Sequence, residues 1–254
     1  MIGQDVAWGR VARKYDELFV DPYADEAGNP VLQFLSKLPG KNKMTVGDLG
    51  CGTGPLLPRL AKLFKKVQAV DFSAGMLAEA RKRCKGIKNI SYQQLSFAQL
   101  GEMADSLDVI VSMNSLVSSD VRVLDRALAG FHETLKPGGV ALGIVPSLEG
   151  LHYHVMHLID LGVERGMELK DAYAFAARKA ELHGYNLATA TFSFDNIHQH
   201  LWQRIEVIYR LKKAGFRSIQ VRKASLPWDQ FAEARSLSKY PKSWDWAFLA
   251  RRAK

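Results

Sequence analysis

The stretch Val46-Gly47-Asp48-Leu49-Gly50-Cys51-Gly52-Thr53-Gly54 restricts the fold more than any other part of the chain. Gly50, Gly52 and Gly54 alternate with other residues at the end of an apolar run, Met44 to Leu49, and an amphipathic segment, Leu56 to Leu63, follows at once. Glycine has no Cβ, so it permits tight turns and close backbone approach. A strand that feeds such a turn and then a helix leaves free backbone N–H groups at the helix start, which form an anion site. A second apolar strand begins at Lys66 and ends in Asp71, 19 residues beyond Gly52. An acidic residue about 20 positions past a glycine loop is the expected partner of two ribose hydroxyls. Loop and carboxylate together imply a pocket for an adenosine-containing cofactor.

Spacing separates the cofactors. A dinucleotide fingerprint requires Gly-x-Gly-x-x-Gly, which brings a pyrophosphate onto the helix. Here the glycines run Gly50-x-Gly52-x-Gly54, and Pro55 stands where the third dinucleotide glycine belongs. Asp48, just before the loop, would repel a pyrophosphate and suits an ammonium group. With Val70-Asp71-Phe72-Ser73 downstream, this segment resembles the class I S-adenosylmethionine-dependent methyltransferases, whose first motif is an apolar strand, an acidic residue and Gly-x-Gly-x-Gly. Leu107 to Asn114 resembles the fourth strand of that family, with an acidic residue at its start. Leu135-Lys136-Pro137-Gly138-Gly139 resembles the turn before its fifth strand, Val140 to Val145. Ala214-Gly215-Phe216 with Ser218 to Val221 resembles its sixth, and Trp246 to Leu249 its last.

The resemblance implies a Rossmann-like, doubly wound α/β fold with a seven-stranded, mostly parallel sheet. It implies an enzyme that uses S-adenosyl-L-methionine. Matched to the family's motifs, the cofactor-binding residues are Asp48, Gly50, Cys51, Gly52, Thr53, Gly54, Asp71, Phe72, Met76, Met113 and Asn114. The family often places an acidic residue after its third strand to accept from the adenine amino group. Gln94-Leu95-Ser96-Phe97 has none, which leaves Ser96 for a weaker hydrogen bond and Phe97 for packing on the adenine. Ala12-Arg13-Lys14-Tyr15-Asp16 matches an N-terminal segment that covers the cofactor in this family; the other reading of Tyr15 is core packing.

A single domain is expected over residues 1–254: an N-terminal helical lid (1–43), a cofactor-binding half (44–146), an α-rich cap insertion (147–200) and the C-terminal half of the sheet (201–254). Helical spacing predicts helices over 4–18 and 31–38, with a loop over 21–30 between them. Strands and helices then alternate as far as Val145, which builds a parallel sheet with its cofactor loops at the C-terminal edge. In the insertion, Leu151 to Val163 and Asp171 to His183 read as helices, the second ended by Gly184. Thr189 to Phe194 alternates like a strand. Asp195-Asn196 then either turns it back as a hairpin or caps a long helix. The insertion is the candidate substrate cap.

It also holds His152, His154, His157, His183, His198 and His200. A metal needs three or four converging ligands. The spacings within 152–157 do not share one helix face, so no metal is expected. His154 and His200 are the candidates for a general base, because the histidine pKa suits neutral pH. Methyl transfer asks little of side chains beyond orientation, so no further catalytic residue is assigned. The Asn-Pro-Pro-Tyr motif of amide- and base-nitrogen methyltransferases is absent, since Ser115-Leu116-Val117 follows Asn114. The expected reaction is in-line methyl transfer to a small-molecule acceptor. The alternatives are RNA methylation or a non-catalytic cofactor-binding module.

Net charge is +9, from 35 basic and 26 acidic residues, which favours nucleic acid only weakly. Many of the cations close predicted helices, where they complement the macrodipole. No apolar run approaches the ~18 residues of a membrane span, no signal peptide is indicated, and the two cysteines, Cys51 and Cys84, suggest no disulfide framework. A cytoplasmic location without membrane attachment is the corresponding expectation.

Overall fold

Apolar runs separated by amphipathic segments predict a parallel sheet, and a computed structural model, which describes residues 4–12, 28–194 and 197–254, contains one. The strands in chain order are β1 (Thr45–Leu49), β2 (Lys66–Asp71), β3 (Ile90–Gln94), β4 (Leu107–Met113), β5 (Leu135–Val145), β6 (Tyr185–Asn186), β7 (Thr191–Phe194), β8 (Ile197–His200), β9 (Arg217–Leu226) and β10 (Ser243–Arg251). The helices are α1 (Gln4–Val11), α2 (Pro30–Lys37), α3 (Leu57–Leu63), α4 (Ala74–Arg83), α5 (Val121–Thr134), α6 (Leu148–Glu164), α7 (Leu169–Lys179), α8 (Arg204–Lys213) and α9 (Ala234–Leu237). Seven strands form one sheet in the order β3-β2-β1-β4-β5-β10-β9. All pairings are parallel except those of β10, which runs antiparallel to both β5 and β9.

Strand side chains alternate between the two faces, and here both faces are covered. Val46, Val67, Val109, Val111 and Leu142 pack under Leu32 and Leu35 of α2, Leu57 and Leu60 of α3 and Ala80 of α4. Leu49, Val70, Ile110, Ala141 and Phe248 pack under Leu128 and Phe131 of α5 and Leu211 of α8. Each fully buried side chain of this size contributes about 1.5–3 kcal/mol. Caps set the helix starts: Asn29 accepts from the Val31 and Leu32 N–H groups ahead of Pro30, and Asp120 accepts from Arg122 N–H. The strand order turns around between β1 and β4, which opens a crevice beyond their C-terminal ends.

The insertion carries a small sheet beside its helices. Residues 195–196 lie outside the described residues, but β7 pairs with β8 as an antiparallel hairpin and β6 completes a three-stranded sheet. The hairpin alternative therefore holds, because Ile197 is buried on a ladder that a continuing helix would break. The expected second helix also ends early: α7 stops at Lys179, and Leu182–Gly184 is a separate 3₁₀ turn. Leu135–Gly139 is part of β5 rather than a turn before it, although Gly138 has φ 80 and the β4–β5 register shifts there. The first helix is described only as α1 and ends at Val11. The last strand extends to Ser243 and Arg251 on either side of the expected core.

The cap carries its own core. Leu158 and Leu161 of α6 and Phe175 and Ala176 of α7 pack with Trp228 and Leu237 from the β9–β10 connection. Ion pairs rim it: Arg165 and Lys179 both reach Glu233 at 2.8 Å, and Lys239 reaches Glu164 at 3.0 Å. Among the described residues no helix is long and apolar enough to cross a membrane.

Two stability outcomes follow from this packing. A Cβ on Gly150 would lie 2.1 Å from the Trp244 carbonyl oxygen, so α6 touches the β10 backbone directly. Gly150→Ala is expected to lower unfolding free energy by about 1–3 kcal/mol in denaturant titrations. His154 sits buried against Trp228 and Phe231, with ring centroids at 5.7 and 5.0 Å. Burial pushes its pKa from 6.5 down to about 4, a backbone bond to Ala232 opposing and His157 adding to the shift. The folded state therefore refuses a proton that the unfolded chain takes up. The contribution of this group is constant above pH 6.5 and falls as pH drops from 6.5 toward 4. Thermal unfolding of His154→Leu should lose part of that acid dependence.

Candidate functional site

The glycines of the turn after β1 do three different jobs. All three have positive φ: 78 at Gly50, 54 at Gly52 and 76 at Gly54. A Cβ on Gly50 would strike Ser115 Cβ at 2.2 Å, so this glycine lets the turn approach the loop after β4. A Cβ on Gly54 would meet Leu57 at 2.8 Å and Ala80 at 3.0 Å, so this one lets the turn approach α3 and α4. A Cβ on Gly52 would enter open space. Gly52 alone of the three faces open space.

The anion cradle expected from the turn's N–H groups is not formed. Gly50 and Cys51 N–H donate to Val70 O at 2.7 and 3.0 Å, and Gly54 N–H donates to Cys51 O at 2.9 Å. Gly52 N–H donates to Asp71 Oδ2 at 2.9 Å, and Ser73 N–H donates to Asp71 Oδ1 at 2.9 Å. The amides of Gly50, Cys51, Gly52 and Gly54 are thus spent within the protein, because a buried amide must be paired. What remains facing the crevice is negative. Asp48 is buried, and among the described residues no donor or cation pairs with its carboxylate. Burial, and then the charge of Asp71, lift its pKa from 3.8 to about 7. Burial also raises Asp71, against the backbone bonds that lower it. The Thr53 hydroxyl is buried without a partner. Such a site is incomplete without a cationic group for Asp48, and it would reject a pyrophosphate.

The other expected cofactor residues surround this turn with unequal roles. Cys51 and Met113 belong to the core below it. Burial and the charges of Asp48 and Asp71 push the Cys51 thiol well up, so it stays protonated. Phe72 follows Asp71 and is half-buried; its carbonyl accepts from Gln94 Nε2 at 3.2 Å. Met76 is buried with Ala7 and Ala12 of the N-terminal segment and Ile197 of β8, beside Trp8. There α1 crosses α4 with Gly9 Cα 3.0 Å from where a Cβ on Gly75 would lie. Phe97 packs edge-on against Phe131 at 5.3 Å and lies 3.3 Å from the position of a Cβ on Gly50. The Ser96 hydroxyl donates to Gln99 Oε1 at 2.9 Å. Tyr15 lies outside the described residues.

Neither histidine proposed from the sequence is free of other bonds or close packing. His200 Nε2 is 2.9 Å from Glu206 Oε2. Glu206 is raised by burial but held low overall by His200 and by Arg210, whose Nε donates at 2.7 Å. His154 stands in the aromatic cap core described above, next to His157, whose ring stacks on Tyr240 at 4.0 Å. Among the described residues no three His, Cys, Asp or Glu side chains gather as a metal site.

The sequence reading passed over Asp245. This buried carboxylate near the start of β10 accepts from Ser147 N–H at 3.0 Å and from Asn114 Nδ2 at 3.4 Å. Asn114 itself has φ 51, and its Oδ1 is buried without a partner. Asp245 lies among tryptophans in an unremarkable last strand, and only sheet order brings it beside the loop after β4. A groove of about 290 Å³ between α2 and the β9–β10 face, lined by Phe34, Lys37 and Arg222 among others, includes none of these residues.

Residues 46–139 match the family model of the methyltransferase domain. The strand order and the glycine turn agree with that match. Residues 46–139 thus carry a methyltransferase domain, on a sheet with the strand order of the class I S-adenosylmethionine-dependent methyltransferase fold. It is 31% identical over 137 residues to a trans-aconitate 2-methyltransferase of Deinococcus radiodurans, which covers 53% of this chain and 49% of that protein. A second trans-aconitate 2-methyltransferase, of Methylobacterium nodulans, is 28% identical over 231 residues, covering 86% of this chain and 84% of that one. A malonyl-[acyl-carrier protein] O-methyltransferase of Bacillus cereus is 40% identical over 67 residues, 26% of this chain and 24% of that protein. The matches thus span less than half the length of several curated relatives. Among solved structures, the DhpI-SAM-HEP complex superposes with a TM-score of 0.60 at 19% identity, covering 98% of this chain and 95% of that one. A SAM dependent methyltransferase from Aquifex aeolicus gives 0.58 at 17%, covering 96% and 97%. At these identities the methyltransferase fold is what is shared.

Asp48 yields a prediction with two opposite signs. Its folded pKa, about 7, stands above its ordinary 3.8, so the folded state keeps a proton that the unfolded chain releases. The contribution of this group to stability is full below pH 3.8 and is lost as pH rises through about 7. Asp48→Asn should therefore raise the thermal midpoint of the ligand-free protein at pH 8 and change it little at pH 4. The same variant should bind an ammonium-bearing cofactor more weakly, as read by calorimetry.

Proposed function

We propose that the chain transfers the methyl group of S-adenosyl-L-methionine to a small-molecule acceptor by in-line displacement. The observation that carries this reading is the unpaired, buried Asp48 beside a turn whose three glycine amides are already spent. That combination calls for a cation and disfavours a phosphate. The residues present fit the cofactor. Asp48 takes the ammonium, Asp71 takes the ribose hydroxyls with the lone pairs its two amides leave, and Gly52 backs onto the body of the molecule. Phe97 and Ser96 stand at the adenine side, and Asn114 stands where the reacting end lies. When bound, the cofactor supplies an activated methyl group on a sulfonium whose departure leaves a neutral thioether.

The chain's own contribution is orientation and the exclusion of water. β8 is stitched to the loop after β4: His200 N–H donates to Val117 O at 2.7 Å, and Ser118 bridges Gln199. Trp202 is buried, and its Nε1 donates to Leu116 O at 2.7 Å. The cap thus roofs the crevice beside Asn114. A roofed crevice favours a small acceptor over a nucleic acid. Two of the α8 cations, Arg210 and Lys213, are already paired, both reaching Asp125 at 2.7 Å. The names of the relatives, trans-aconitate among them, point the same way.

Removing the charged ribose acceptor should cost about 1.5–3 kcal/mol of binding. Asp71→Ala is expected to weaken cofactor affinity roughly 10-fold or more by calorimetry. Unchanged affinity would sink the assignment of Asp71 to the ribose.

A further inference from the structure

Asp245 has no place in the cofactor pocket, yet it is built like a functional group. β10 pairs with β5 so that Trp246 lies opposite Val145, which sets Asp245 just past the C-terminal end of β5. It shares strand parity with Ala247, whose face of the sheet also carries Val46 and hence Asp48. From β1 through β4 and β5 to β10 are three strand spacings, about 14 Å along the sheet. Asp48 and Asp245 therefore stand at opposite ends of one crevice, with Asn114 between them in the sheet order.

The carboxylate of Asp245 is held from two sides and neutralised from none. Ser147 N–H and Asn114 Nδ2 fix its orientation. Among the described residues no lysine or arginine pairs with it. Lys223, on the adjacent strand, has its ammonium 3.2 Å from the centroid of the Trp244 ring. Glu149 of α6 accepts from Trp246 Nε1 at 2.9 Å. From the cap, Tyr185 stands within electrostatic reach, its hydroxyl pushed up to about 12 by burial, then Glu181, then Asp245. Asn114 is held in a left-handed conformation that a non-glycine residue rarely adopts. Strain, an unpartnered amide oxygen and an uncompensated carboxylate coincide at the acceptor end of the crevice.

We propose that Asp245 is the acceptor-side carboxylate and that the acceptor is a protic nucleophile, an amine or hydroxyl compound, and not a carboxylic acid. This rests on the methyltransferase reading above. The lone pair of the acceptor N or O forms the new bond to the methyl carbon. The C–S bond breaks, its electron pair stays on sulfur, and the N–H or O–H proton passes to Asp245 Oδ2. A carboxylate acceptor brings no such proton, and its charge would meet Asp245 head-on. Burial, against the two bonds that lower it, lifts Asp245 from 3.8 to about 6, which makes it a better base than an exposed aspartate.

The test uses the full chain, labelled S-adenosyl-L-methionine and two acceptor panels, one of amines and phenols, the other of carboxylates including trans-aconitate. Asp245→Asn keeps an oxygen for Ser147 N–H, so the fold is preserved. Label is expected in the first panel alone. In the variant, kcat should fall about 100-fold or more, cofactor affinity should stay within about twofold, and the acid limb of the wild-type rate profile near pH 6 should vanish. The inference is overturned by transfer to carboxylates instead, by transfer to neither panel, or by an unchanged rate and pH profile in Asp245→Asn. If the wild type binds no cofactor in the calorimeter, the methyltransferase reading itself fails and takes this inference with it.

Discussion

Asp71 reaches back across the end of β2 to accept the Gly52 N–H at 2.9 Å. Through that bond the second strand holds the turn of the first in shape. The turn in turn sets how closely α3 and α4 approach, because Gly54 lies against Ala80, and how closely the loop after β4 approaches, because Gly50 lies against Ser115. A carboxylate in that position is chemically double. One lone pair of each oxygen closes the protein's own backbone, and the others are left for a ligand. The cofactor pocket and the fold of the sheet's edge are thus one construction, and a substitution at Asp71 disturbs both.

Negative charge without a counter-ion recurs along the crevice. Asp48 at one end and Asp245 at the other are buried carboxylates raised to about 7 and about 6. Burying an ionised group unpaired is costly, so each reduces the stability of the ligand-free protein above its own pKa. Asn114 adds backbone strain between them. Functional sites commonly concentrate such costs while the surrounding structure supplies the compensation. Here that compensation is a sheet covered on both faces and the capping of helices such as α2 and α5. The histidines show the contrasting case. His154 is neutral and enclosed by aromatic rings, and His200 is engaged by Glu206, so their chemistry is spent on holding the cap in place.

The cap is anchored rather than appended. Trp202 pairs with Ser147, and its N–H donates to Pro146 O at 2.7 Å, while its indole bonds the Leu116 carbonyl. Trp228 and Leu237, far along the chain, complete the core that α6 and α7 begin. A division of the chain at residue 200 therefore separates segments that fold against one another.

What the sequence by itself determined is local and periodic. Strand alternation, the glycine spacing and the acid after the second strand were enough for β1 through β5, for the crevice and for the placement of Asp48 and Asp71 beside the turn, because each signal lies within a few residues of the group it positions. The hairpin after Thr191 stayed open between two readings, since alternation over four residues fits a strand wherever a partner exists, and the partner is decided by tertiary pairing. The fate of the turn amides was also not legible: whether an N–H points at a ligand or at Val70 O depends on the neighbouring strand. Asp245 was passed over for the same reason. A carboxylate between Trp244 and Trp246 carries no local mark of function. It gains one only when the antiparallel insertion of β10 beside β5 sets it next to Asn114, 131 positions away in the chain. Periodicity reports which way a side chain faces. Only the closed sheet decides what it faces, because contacts between distant strands are set by strand order and register rather than by neighbouring residues.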